Sequence, residues 1–300
     1  GMMYKKVTVP SYAKVNLHLE VGTRRDDGYH PLSTVFQKID LHDTITISYK
    51  AAHQFSCVVR GLEALGCLPG KDSLSLAARA WCRRVGLPLD IVLEVEKRIP
   101  SGAGLGGGSS NAAAVLSVLN SMHAGYALEQ DALMALGAAL GSDVPFFLTG
   151  YPAALGEGRG EILTPLVSGE GSVLVVMPKG FSVSTAGAYL NLDELRAVQA
   201  VQDDIFTFGK DDVGRLSDIL KQSPGLWPFK NDFRHVCPHQ EFYEELVLRG
   251  SHYPQVYGNL TGSGAAWVFV GRSTGEILNI KNEISTFFGA RVGIMYANLL

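Results

Sequence analysis

The run Gly-Ala-Gly-Leu-Gly-Gly-Gly-Ser-Ser-Asn-Ala-Ala, residues 102–113, constrains this 300-residue chain more than any other stretch. Five of the seven residues from Gly102 to Gly108 are glycine. Glycine loses more backbone freedom on ordering than any other residue, so such a run needs a physical reason. One reason is close approach of backbone N–H groups to an anion, which a Cβ would obstruct. The surroundings agree. A strand is expected at Ile91 to Val95, ending before Pro100, and Ala112, Val115, Leu116, Leu119 and Met122 recur at helical spacing. Ser109 and Ser110 then stand at the mouth of a helix, as N-caps or as phosphate donors. The N–H groups there and the positive end of the helix dipole favour an anion.

Several loops share this look. A flexible linker with a serine cap explains the serines but not the glycines. Gly102-x-Gly104-x-x-Gly107 is a literal dinucleotide fingerprint, yet Pro100 intervenes after the strand and nothing acidic lies near position 122 to hold a ribose. A Walker A loop fails because no Gly-Lys-Ser/Thr closes the run. A different glycine-rich ATP loop fits best.

Elsewhere the chain alternates strands and helices irregularly. From Val7 to Val21 hydrophobic residues share one parity, while Lys14, Asn16, His18 and Glu20 share the other. Period two predicts a strand or hairpin with one buried and one polar face. A further strand is expected around Thr44 to Tyr49, and a helix over Leu128 to Leu140. Asp143 precedes Pro145, a placement that suits a helix cap. The segment Gly150 to Gly160 is rich in Gly and Pro. Beyond it strands are expected at Val173 to Met177, Ala266 to Val270 and Val292 to Tyr296. Helices are expected from Thr185 onward, and at Val213 to Lys221, His239 to Leu248 and Gly275 to Phe288. This is the order of an α+β protein, not a doubly wound sheet, with two domains, residues 1–160 and 161–300.

Composition narrows the function classes. A net charge of -3 and a pI near 6.3, with basic residues only in scattered pairs, give no footprint for nucleic acid. No apolar run is long enough for a membrane span. The cysteines at 57, 67, 82 and 237 lack zinc-site spacing and fit a reducing compartment. With no signal or transit pattern, and Gly1 read as a tag remnant, a cytoplasmic location is expected.

Five segments together resemble the GHMP kinases, the galactokinase, homoserine and mevalonate kinase superfamily. GAGLGGGSSNAA resembles their second signature. SYAKVNLHLEV (residues 11–21) resembles the first, and LTGSGAAWVFV (260–270) the third. GSDVPFFL (141–148) resembles the aspartate motif. DGYHPLSTVFQ (27–37), with the extended form of the glycine run, points to the branch acting on a cytidine-diphosphate-linked sugar alcohol. The resemblance implies an N-terminal ATP-binding domain and a C-terminal ferredoxin-like α/β sandwich completing the substrate cleft. It implies transfer of the γ-phosphate of ATP to the 2-hydroxyl of 4-diphosphocytidyl-2-C-methyl-D-erythritol, a step of the non-mevalonate route to isoprenoids. The alternatives are a GHMP kinase for another alcohol, such as homoserine or mevalonate, a catalytically silent nucleotide-binding regulator, and, last, a dinucleotide oxidoreductase.

The same resemblance implies the site. Asp143 is the general base and Lys14 the cation beside it. The loop of Gly102, Ala103, Gly104, Leu105, Gly106, Gly107, Gly108, Ser109 and Ser110 cradles the triphosphate; from its position just before the loop, not from the resemblance, Lys97 is expected either to contact adenine or phosphate or to be a solvated strand end. Asn16 hydrogen-bonds substrate or Asp143. Tyr29 and His30 form a cytidine pocket, with Phe36 and Tyr189 as further walls and Thr185 at a substrate-contacting segment. Gly262 and Gly264 let the third loop approach the substrate. No dedicated metal cage is expected; Mg²⁺ arrives with ATP. The other expected partners are the small-molecule substrate and at most a weak homodimer.

Overall fold

The computed structural model describes residues 3–63, 70–198 and 205–300. They fall into two units that interleave along the chain, the first from Gly1–Ala13, His42–Ser101 and Gly106–Gly150, the second from Lys14–Leu41, Gly102–Leu105 and Tyr151–Leu300. Strands β1 (Lys5–Val21) and β2 (Leu32–Ala51) each contribute one part to each unit.

In the first unit the C-terminal part of β2 runs antiparallel to β4 (Leu89–Glu96), with Ile45 opposite Val95 and Tyr49 opposite Ile91. Strand β3 (Ser56–Arg60) lies parallel to β4 on its other side. Leu89, Ile91, Leu93 and Val95 alternate inward, as period two requires. Against them pack α1 (Ser73–Val85), α2 (Gly107–Met122), α3 (Gln130–Leu140) and α4 (Val144–Thr149). Asp72 caps α1 by accepting from the Ser75 N–H, and Gly86 ends it in the left-handed conformation. The sequence reading missed this helix although both caps are legible.

In the second unit the N-terminal part of β2 pairs with β5 (Ala153–Glu157), which turns into β6 (Ile162–Leu166). The Gly-Pro-rich segment therefore holds a strand and its turn, with Gly158 and Gly160 at positive φ. Four antiparallel strands follow in the order β10-β7-β9-β8: β7 (Ser172–Pro178), β8 (Tyr257–Leu260), β9 (Trp267–Gly271) and β10 (Val292–Asn298). Helices α7 (Gln240–Gly250) and α8 (Thr274–Phe288) cover that sheet, burying Tyr243, Leu246, Ile277, Ile280 and Ile284. Helices α5 (Thr185–Ala197) and α6 (Val213–Lys221) complete the unit. The fold class is α+β.

Two expectations need correction. The strand expected at Thr44 to Tyr49 is only the end of the 20-residue β2, because Leu32 to Gln37 is buried on both faces and shows no alternation. Likewise β1 has no solvated face after Tyr12: Lys14, Asn16, His18 and Glu20 are all at most 5% exposed. Their alternation with hydrophobic residues separates an apolar interior from a buried polar one.

Cys57, Cys82 and Cys237 are free thiols, the first two pushed by burial up to about 11 and 12; Cys67 lies outside the described residues. Among the described residues no helix is long and apolar enough to cross a membrane.

Candidate functional site

The glycine-serine run divides between the units at Leu105 and Gly106. In the first unit, Gly106 is the N-cap of α2 in the left-handed conformation, so no side chain caps the helix. Ser109 and Ser110 sit inside the first turn, not at the cap as expected. The first N–H groups of a helix have no intrahelical partner, and here no capping side chain supplies one. The Lys97 ammonium stands beside them: a Cβ on Gly107 would lie 3.4 Å from Nζ. A cation next to the positive end of a helix is unfavourable alone. The fully buried Asp43 offsets it, accepting from Lys97 Nζ at 2.6 Å and from the Arg98 and Ile99 N–H groups at 2.7 and 2.9 Å. Asn111 Nδ2 donates to Asp43 Oδ2 and to Ser11 Oγ, and Ser11 Oγ donates to the buried Ser110 Oγ. This network fixes Lys97 and α2 relative to each other. Sequence reasoning named Lys97 and Ser110, quoted Asn111 and Ser11 within the second and first signatures without giving them a role, and missed Asp43, which lies in none of the quoted motifs.

In the second unit the earlier part of the run packs as backbone. Ala103 and Leu105 are buried, the Lys14 N–H donates to the Leu105 carbonyl, and the Ala266 N–H donates to the Ala103 carbonyl. Gly104 has φ 81°, and a Cβ there would lie 2.2 Å from the Thr261 carbonyl oxygen; a Cβ on Gly262 would lie 3.0 Å from Gly104 Cα. These two glycines are needed for loop-on-loop contact. Gly102 has φ 64°, and nothing lies within 4 Å of where its Cβ would stand, so its side is open.

Lys14 and Asn16 belong to the buried polar face of β1. Lys14 Nζ donates to Asn16 Oδ1 and, at 3.1 Å, to the Gly104 carbonyl, and it lies 5.9 Å from the centre of the buried Phe36 ring. Asn16 Nδ2 donates to Thr34 Oγ1, whose hydroxyl donates on to the His18 carbonyl. The Thr261 hydroxyl accepts from the Asn16 N–H and donates to the Gly104 carbonyl. Behind them, His18 Nδ1 accepts the Lys230 N–H, which leaves Nε2–H to donate to Glu20 at 2.8 Å. Burial alone would raise the Glu20 carboxyl. The hydrogen bonds from His18 and the Thr207 N–H outweigh it and hold the group at about 2, so Glu20 is a carboxylate.

The Gly-Tyr-His segment is a turn. Tyr29 N–H donates to Asp27 Oδ1, and Arg159 pairs with Asp27 at 3.2 Å while its guanidinium covers the Tyr29 ring at 3.4 Å. Tyr29 remains 54% exposed. His30 is buried; its Nε2 lies 2.7 Å from Asp193 Oδ1, and its ring lies 4.7 Å from Tyr189. Tyr189 packs in turn edge-on to Phe233. The structure thus brings His30 and Tyr189 together, and adds Asp193 and Arg159, which the sequence reading did not single out.

Thr185, the first residue of α5, shares a hydrogen bond of 3.1 Å with Ser263, between Gly262 and Gly264. Both glycines have positive φ. The third loop is held by the buried Asn231, whose Nδ2 donates to the Leu260 and Gly262 carbonyls. Asp143, in the first unit, takes the N-cap position of α4 with Pro145 just inside, yet its carboxylate makes no cap hydrogen bond. The capping role that its position suggests is therefore not the one it fills.

Residues 72–151 match the GHMP kinases N terminal domain. The chain is 34% identical over 295 residues to the 4-diphosphocytidyl-2-C-methyl-D-erythritol kinase of Kineococcus radiotolerans, covering 95% of this chain and 87% of that protein. It is 42% identical over 294 residues to the enzyme of the same name from Mycolicibacterium gilvum, covering 93% and 86%. A crystal structure of 4-(cytidine 5'-diphospho)-2C-methyl-D-erythritol kinase superposes with a TM-score of 0.71 at 28% identity, covering 98% of this chain and 99% of that one. A phosphomevalonate kinase from Streptococcus pneumoniae, at 12% identity and a TM-score of 0.69, shares the fold alone. Relatedness at this level over nearly the whole length makes the chain a member of the 4-diphosphocytidyl-2-C-methyl-D-erythritol kinase family, within the GHMP kinases.

Proposed function

We propose that the chain is the kinase that transfers the γ-phosphate of ATP to the 2-hydroxyl of 4-diphosphocytidyl-2-C-methyl-D-erythritol, in the non-mevalonate route to isoprenoids. The observation that carries this reading is the full-length membership in that kinase family. The uncapped start of α2 beside Lys97 supports it as a place for phosphate oxygens, where N–H donors and an ammonium are already oriented. Asp143 positions the acceptor hydroxyl and takes its proton, and Lys14 stabilises charge on the phosphoryl group in flight. Tyr29, His30, Phe36 and Tyr189 receive the cytidine, and Thr185 with Gly262 and Gly264 lines the rest of the substrate. In this reading residues 1–160 bind ATP and residues 161–300 complete substrate binding, in a cytoplasmic enzyme that is a monomer or weak homodimer.

In this reading Mg²⁺ is carried in by the nucleotide. Among the described residues no three His, Cys, Asp or Glu side chains gather as a metal site. The α2 turn offers the Ser109 hydroxyl, while that of Ser110 is buried against Ser11. An octahedral oxygen shell would come mainly from phosphates and water. When bound, the ion neutralises charge on the phosphate oxygens.

The test is a coupled ADP-release assay on the cytidyl substrate, with homoserine and mevalonate as controls. Turnover with the cytidyl substrate alone is expected; turnover only with a control would sink the assignment.

A further inference from the structure

Helix α5 places Tyr189 and Asp193 one turn apart, on one face, and both meet the same residue. Tyr189 lies against the His30 ring, and Asp193 holds its Nε2 at 2.7 Å. An ionised carboxylate only accepts hydrogen bonds, so Nε2 must carry the proton. In the neutral ring the lone pair is then on Nδ1. Among the described residues nothing hydrogen-bonds Nδ1, and it is not one of the atoms sealed from solvent without a partner. The ring is thus buried and clamped on one side and offers a single acceptor on the other. Its neighbour Tyr29 is 54% exposed and has the Arg159 guanidinium over its ring, itself anchored on Asp27. An exposed aromatic next in the chain to a fixed acceptor suits a flat heterocycle that carries a donor on its edge.

Resting on the kinase reading above, we propose that Asp193 is the positioning residue for base specificity. It sets the His30 tautomer so that Nδ1 accepts from the exocyclic amino group of a 4-aminopyrimidine. Cytosine offers that N4 amino donor, whereas a 4-oxo pyrimidine such as uracil presents an oxygen acceptor at the same place. Two acceptors facing each other leave both unpaired, which is the kind of mismatch a binding site discriminates strongly. Asp193 does not itself touch the base; it acts through His30.

The experiment compares wild type and Asp193→Ala on the cytidyl substrate and its uridine counterpart. In the folded variant the preference for cytidine over uridine in kcat/KM is expected to fall at least about 10-fold, through KM, with kcat within about threefold. An unchanged preference overturns the proposal. The ¹⁵N shifts of the His30 imidazole in the wild type supply a second, independent measurement, needed if Asp193→Ala does not fold. A neutral ring protonated at Nε2 upholds the proposal and one protonated at Nδ1 overturns it. If the wild type turns over neither nucleotide substrate, the kinase reading fails, while the imidazole spectrum still decides the role of Asp193.

Discussion

Glu20 is the buried anchor of the polar face that carries Lys14 and Asn16, and its charge has a measurable signature. The folded protein holds this carboxyl at about 2 instead of 4.5. At about 1.4 kcal/mol per pH unit, that displacement corresponds to about 3 kcal/mol favouring the folded state. The sign follows from proton binding. Between the two values the unfolded chain binds a proton at Glu20 and the folded chain does not, so stability rises with pH. The stabilisation is fully present above the unfolded value and is lost as pH falls through the folded one. Glu20→Gln keeps the shape and an oxygen for the Thr207 N–H but removes the charge. The variant is expected to lose about 3 kcal/mol at neutral pH and to converge on wild type near about pH 2. Urea unfolding followed by tryptophan fluorescence reads this, because Trp227 and Trp267 lie in the second unit with Glu20. Parallel loss of stability in both proteins from about pH 5 to about pH 2 would show that the His18 and Thr207 hydrogen bonds do not outweigh burial.

Asp143→Asn is expected to lose at least about 10²-fold in turnover, the low end for general-base assistance; near-normal turnover would remove Asp143 from the chemistry. Gly104→Ala combines a left-handed backbone, costing about 1–2 kcal/mol, with a Cβ 2.2 Å from the Thr261 carbonyl. Its melting temperature should fall by at least about 4 °C, and by more than that of Gly102→Ala, where φ is also positive but the space is open. Equal losses in the two variants would refute the loop-on-loop role of Gly104.

What the sequence made legible, and what it did not, separates by physical cause. Helix α6 is where its apolar spacing puts it, and α2 begins within the glycine run, because periodicity and glycine placement are local signals. Strand β1 shows the limit of such signals. Its alternation of Val15, Leu17 and Leu19 with Lys14, Asn16 and His18 reads as a strand with a wet face, and the strand is there, but the polar face is buried. Alternation records only that two faces differ in polarity; whether the polar one meets water or a set of hydrogen-bonding partners depends on Thr34, Gly104, Thr207, Lys230 and Thr261, which lie far away in the chain.

The supporting residues of the site were invisible for the same reason. Asp43 collects four donors from two separate segments, Lys97–Ile99 and Asn111, and nothing in its immediate sequence distinguishes it from a surface aspartate. Asp193 is different. Its spacing from Tyr189 is helical, and a tyrosine and a carboxylate one turn apart on a helix make a readable pair once a histidine is known to need both a stacking surface and a proton acceptor. A buried histidine in a polar motif therefore carries its own question: which carboxylate fixes its tautomer. Among the described residues two buried histidines have that partner, His18 with Glu20 and His30 with Asp193, and they differ in what the other nitrogen meets. For His18 it is the Lys230 backbone, which makes the ring a structural strut. For His30 the other nitrogen has no protein partner among the described residues, which is the arrangement a ligand requires.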